Sequence, residues 1–129
     1  MTIYALSSGP GMAGVAVVRV SGKETSKVIK LITNDDLPTP RVATLRKMNN
    51  INTNELIDEG LLIWFPGPQS YTGEDLAEFH VHGSRAVVSA LHASISNVEN
   101  CRLAEPGEFT KRAFQNGRIN LMKAESIGD

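Results

Sequence analysis

Between Leu76 and His82 apolar and polar side chains alternate, with Ala77, Phe79 and Val81 on one side and Glu78, His80 and His82 on the other. A period of two marks a half-buried strand, here with one apolar face and one face carrying a carboxylate and two imidazoles. Upstream, Pro66-Gly67-Pro68 fixes a loop with few backbone options. Downstream, Gly83 and Ser84 lead into a predicted helix over residues 84–96, whose Val87, Val88, Leu91 and Ile95 share one side. Residues 2–6 and 15–20 read as strands, the second almost wholly β-branched apart from Arg19. Ser21 predicts the N-cap of a helix reaching about residue 33, and Glu24, three positions on, completes a capping box. Two prolines in three residues make 35–40 a loop. Residues 41–48 and 56–65 then predict an antiparallel hairpin across the polar turn 49–54. A short strand is expected at 101–104 and a helix at 106–115, with Phe109 and Ala113 on its buried side. A further helix is expected from 121 to 127, with the chain stopping inside it. The order predicts an α+β fold: a mixed, mainly antiparallel sheet packed with helices.

Composition narrows the class without naming a function. The 129 residues suit one domain with a single core, and 41% hydrophobic with 21% charged residues is ordinary for a globular chain. Thirteen Lys and Arg against 14 Asp and Glu leave a net charge of -1, so no basic excess advertises nucleic-acid binding by this segment alone. The longest apolar run, Leu61 to Phe65, is too short to span a membrane, and the N-terminus lacks the basic start of a signal peptide. A lone cysteine, Cys101, fits a reducing compartment. These features predict a soluble cytoplasmic domain.

Several motifs invite chemistry. Gly9-Pro10-Gly11-Met12-Ala13-Gly14 has the spacing of a dinucleotide fingerprint, but the last glycine opens a β-branched strand rather than a helix, so a tight β-β connection accounts for it better. Gly22-Lys23-Glu24 lacks the hydroxyl residue after lysine that a phosphate loop needs. Glu78, His80 and His82 share a strand face and could converge on a metal, although two histidines on a partly exposed face need none. Arg19 says more. A guanidinium in a β-branched strand must reach water, pair with an acid or bind a ligand. If Arg19 and Glu78 face one cavity, they offer a fork of donors beside a two-oxygen acceptor, suited to a flat ligand with adjacent N–H groups and a carbonyl or carboxylate. A plain Arg19–Glu78 ion pair is the competing reading.

Gly14-Val15-Ala16-Val17-Val18-Arg19-Val20-Ser21-Gly22 resembles the opening of the MnmE (TrmE) family of tRNA-modification GTPases. Phe65-Pro66-Gly67-Pro68, Tyr71-Thr72-Gly73-Glu74-Asp75 with His82-Gly83, and Glu105-Pro106-Gly107-Glu108-Phe109-Thr110 with Arg112 to Gly117 are similar to that family's later signatures, in order, over nearly the whole chain. The resemblance implies a folate-binding and dimerisation domain over 1–118, folded like the folate domains of aminomethyltransferases. Residues 119–129 would start a helical domain, with the GTPase lying outside this chain. It implies 5-formyl- or 5,10-methylene-tetrahydrofolate as ligand, held by Arg19, Glu78 and Arg118, where Arg118 replaces the family's usual lysine. It also implies a homodimer. The parent enzyme would use GTP, Mg and potassium and act with the flavoprotein MnmG (GidA) on C5 of the wobble uridine of tRNA. The segment by itself would bind and assemble rather than catalyse. The alternatives are a dimerisation module without folate and a metal-dependent enzyme using His80 and His82.

Overall fold

The computed structural model describes residues 1–7 and 14–120. The described elements follow the order β1 (Thr2–Leu6), β2 (Val15–Ser21), α1 (Thr25–Thr33), β3 (Thr44–Asn49), β4 (Leu56–Phe65), β5 (Leu76–His82), α2 (Arg85–Ser96), β6 (Cys101–Leu103) and α3 (Glu108–Gln115). The strands form one sheet in the order β3-β4-β5-β2-β1-β6. Only the β1–β6 pairing among these is parallel, so the α+β, mainly antiparallel expectation holds. The predicted helix at 121–127, and with it most of the proposed start of a helical domain, lies outside the described residues.

The two faces of the sheet are finished differently. On one, Ala16, Val18 and Val20 of β2 and Ala77, Phe79 and Val81 of β5 pack against Val28, Ile29 and Ile32 of α1 and Val88, Leu91 and Ile95 of α2. This is the main core, and the strict alternation of the central strands is what supplies it. On the other face, α3 and the 66–75 loop cover one end, burying Ile3, Leu76, Phe109 and Ala113. The rest of that face leaves Val15, Leu45 and Leu61 exposed.

Three boundaries depart from the sequence reading. Ser21 does not cap a helix: it is the last residue of β2, and its hydroxyl bonds Thr72 Oγ1 at 2.7 Å and Glu74 Oε1 at 2.8 Å. The helix begins at Thr25, because Gly22 has φ +138° and sits so near Thr2 that a Cβ there would lie 2.5 Å from Thr2 Oγ1. The third strand starts at Thr44 rather than at residue 41, because Arg41 takes a left-handed backbone, φ 64°, that no strand accommodates. Gly107, at φ 74°, likewise delays the last helix to Glu108.

Candidate functional site

Arg19 and Glu78 stand directly opposite each other on the paired central strands β2 and β5. Arg19 Nη2 donates to Glu78 Oε2 at 3.5 Å, and the two side chains keep 22% and 20% exposure. Cross-strand partners in an antiparallel pair share a face, so register alone brings them together. The guanidinium is held between two rings: its carbon lies 5.2 Å from the centre of Tyr71 and 5.4 Å from that of Phe109. Tyr71 is fixed in turn by a 2.9 Å hydrogen bond between its hydroxyl and Thr110 Oγ1. Arg19 Nε is buried and finds no acceptor among the described residues. On the other flank, His80 Nε2 donates to Glu78 Oε1 at 3.0 Å. Glu78 therefore spends one oxygen on each neighbour, and of about four lone-pair positions on a carboxylate two remain open.

Two concavities adjoin neighbours of the pair, one at Tyr71 and one at His80. One, of about 630 Å³, is walled by Arg41, Phe65, Gln69, Ser70, Tyr71 and Arg118, so Tyr71 divides it from Arg19. The other, of about 300 Å³, includes His80, His82, Val15 and Leu61 in its wall. The structure thus joins Arg19 to Glu78 directly and sets Arg118 in the neighbouring cavity, across Tyr71.

His80 and His82 have separate carboxylate partners. His82 Nδ1 donates to Asp58 at 2.9 Å, and its backbone N–H adds a bond of 2.8 Å. Burial pushes the Asp58 carboxyl up, but these bonds, with one from Glu59 N–H, outweigh it and hold the group below its ordinary value. Among the described residues no three His, Cys, Asp or Glu side chains come together in a way that could hold a metal ion. The dinucleotide spacing at 9–14 falls mostly outside the described residues, while Gly14 is indeed followed by strand β2.

A network that the sequence did not reveal braces the Tyr71–Asp75 loop. Arg112 of α3, with its side chain 13% exposed, donates to Glu74 Oε1 at 3.0 Å, Met1 O at 2.7 Å and Glu108 Oε2 at 3.3 Å. Glu108 also takes both terminal nitrogens of Arg102. Asp75 works locally, accepting Gly67 N–H on Oδ1 at 2.8 Å. The only local signal was the i, i+4 spacing of Glu108 and Arg112, one turn of helix apart. The tertiary partners Glu74 and Met1 have none.

This network predicts an acid response. The Arg102 hydrogen bond above all, against burial and helped by Glu105 N–H and the charges of Arg102 and Arg112, lowers the Glu108 carboxyl from 4.5 to about 2. The folded state holds that proton less tightly than the unfolded state. Its stabilisation is therefore complete above about pH 4.5 and is lost as pH falls toward 2. At about 1.4 kcal/mol per unit, reduced because Arg102 is open to water, the contribution is on the order of 1–2 kcal/mol. Melting temperatures of wild type and Glu108→Gln, measured from pH 7 to 2, should converge below pH 4.5; a constant gap refutes the assignment.

A family profile described as "GTP-binding protein TrmE N-terminus" matches residues 2–118. The chain belongs to the TrmE N-terminal family. It is 74% identical over 129 residues to the "tRNA modification GTPase MnmE" of Pelagibacter ubique, covering all of this chain and 29% of that protein. It is 52% identical over 128 residues to the protein of the same name from Phenylobacterium zucineum, covering 99% of this chain and 28% of that one. It is 49% identical over 129 residues to the human "5-taurinomethyluridine-[tRNA] synthase subunit GTPB3, mitochondrial", covering 99% and 26%. The chain therefore spans less than a third of the length of these relatives. As a TrmE N-terminal domain it places the Tyr71–Asp75 and Glu105–Thr110 signatures side by side, linked through Tyr71–Thr110 and Arg112–Glu74. No helix among the described residues is long and apolar enough to cross a membrane.

Proposed function

We propose that this domain binds a reduced folate, 5-formyl- or 5,10-methylene-tetrahydrofolate, at the Arg19–Glu78 pair. On this reading it is the folate-binding and dimerisation part of a GTP-dependent enzyme that modifies C5 of the wobble uridine of tRNA with the flavoprotein MnmG (GidA). The observation that carries the reading is the pair itself: a half-open carboxylate with two free acceptor positions beside a guanidinium whose buried Nε lacks a partner among the described residues. A pterin edge presents an amino group and a ring N–H side by side, which two carboxylate positions can accept, and a carbonyl that Arg19 can meet. The residues fit the ligand. When bound, such a folate supplies a one-carbon unit; Glu78 orients its ring, Arg19 balances the charge and Tyr71 offers a flat wall. Arg118 lines the neighbouring cavity and suits the carboxylate end. The exposed Val15, Leu45 and Leu61 on the same sheet face support self-association, and relatives named as GTPases support GTP use by the parent protein.

Calorimetric titration with 5-formyltetrahydrofolate tests the site. Glu78→Gln keeps the side-chain volume but removes the charge and one acceptor. It is expected to weaken binding roughly a hundredfold, about 3 kcal/mol, while circular dichroism stays unchanged. Equal affinity in the variant overturns the site. Binding by neither protein, with sedimentation showing a dimer, favours the dimerisation-only alternative.

A further inference from the structure

The 630 Å³ cavity beyond Tyr71 is lined by two arginines that the pterin ring does not engage: Arg118, given above to the carboxylate end, and Arg41, so far without a role. Arg19, Arg46, Arg102 and Arg112 each face a carboxylate; among the described residues Arg41, Arg85 and Arg118 do not, and of these three Arg41 and Arg118 line this one cavity. Both are exposed, so an anion entering the hollow meets two cations. Arg41 is also held in place by design of the backbone. It is a non-glycine residue at φ 64°, directly after the Pro38-Thr39-Pro40 segment, and its N–H is bonded to Trp64 O at 2.8 Å. Its Nη2 donates to Gln69 O at 2.8 Å, which leaves the other guanidinium donors available. Phe65 and Tyr71 add aromatic surface to the same wall, and Tyr71 is the partition shared with Arg19.

We infer that this cavity is a subsite for a chain of carboxylates, the γ-linked glutamates that extend from a folate's aminobenzoyl group, with Arg41 and Arg118 as its specificity determinants. The inference rests on the folate reading of Arg19 and Glu78. The aminobenzoyl ring lies against Phe65 and Tyr71, and successive carboxylates meet the two arginines in bidentate pairs. The domain then prefers folates with several glutamates over those with one.

Titrating the 129-residue chain with three probes separates this inference from the reading beneath it. The probes are 5-formyltetrahydrofolate with one glutamate, the same folate with three, and p-aminobenzoyl-tri-γ-glutamate, which has no pterin. The triglutamate form is expected to bind about tenfold tighter than the monoglutamate at low salt, with the difference shrinking as salt rises. Arg41→Gln and Arg118→Gln should each narrow that difference. Arg118 is exposed and leaves the Gln69 brace intact, so its variant guards against a loosened loop. The pterin-free probe should bind wild type and Glu78→Gln alike and lose affinity in Arg41→Gln. Equal affinity for one and three glutamates, or a difference unchanged in both arginine variants, overturns the subsite. Binding of the pterin-free probe by a chain that ignores both intact folates overturns the Glu78 assignment instead.

Discussion

Arg112→Ala is expected to destabilise the domain by about 2 kcal/mol, the cost of taking a half-buried cation from two carboxylates and leaving Glu74 without a charged partner. The side chain joins three parts of the chain that are remote in sequence: Glu74 in the loop before β5, Glu108 on its own helix and the carbonyl of Met1 at the start of β1. Its loss leaves Glu74, among the described residues, with the hydroxyl of Ser21, and Glu108 with Arg102 and the N–H of Glu105. The damage is directional as well as large. Tyr71 belongs to the loop that Glu74 anchors, and Tyr71 steadies Arg19, so folate affinity should fall even at temperatures where the variant is folded. Urea denaturation gives the first quantity and titration the second. Pairing the change with Glu74→Gln should cost less than the sum of the two single changes, because both delete one interaction. Strict additivity would show that Arg112 and Glu74 do not act together.

Gly60→Ala is expected to cost about 2–3 kcal/mol for a different reason. Gly60 lies inside β4, opposite Arg46 on one side, and an added Cβ would stand 2.1 Å from the carbonyl oxygen of His80. That atom is backbone in the neighbouring strand and cannot rotate away. The methyl must push β4 and β5 apart two residues from Glu78. Gly14→Ala is the matched control, since nothing lies within 4 Å of its added carbon. A urea midpoint that drops for Gly60→Ala and not for Gly14→Ala, at unchanged slope, supports the close approach. Equal midpoints refute it.

Much of the fold was legible because the central strands alternate so strictly. The period of two in β5 placed Glu78 on the face away from the core, and the β-branched run of β2 did the same for Arg19. What alternation cannot state is which strands are neighbours. The 3.5 Å meeting of Arg19 and Glu78 depends on β2 pairing with β5, 59 positions away, and nothing local specifies that. Errors arose where a tertiary partner outbid a local rule. Ser21 has the right identity and spacing for a capping box, yet its hydroxyl is taken by Thr72 and Glu74, so the strand runs on through it. Arg41 looked like the first residue of a strand until its backbone was drawn to Trp64 O in a left-handed turn. The rings of Tyr71 and Phe109 around Arg19 were unreadable for the same reason, since stacking on a cation leaves no period in the sequence. Family resemblance supplied Arg118, and the structure places it in the adjoining cavity rather than against the pair.

The position of Arg19 and Glu78 in the sheet order has a consequence for how the site disappears. Both lie on interior strands, flanked by β1 on one side and β4 on the other, so fraying of β3 or β6 at the margins cannot separate them. Local openings therefore leave the binding groups in register, and only global unfolding dismantles them. Backbone amides of Val18, Val20 and Phe79 should accordingly trade hydrogen for deuterium at the slowest rates in the domain, in step with loss of the ligand site itself.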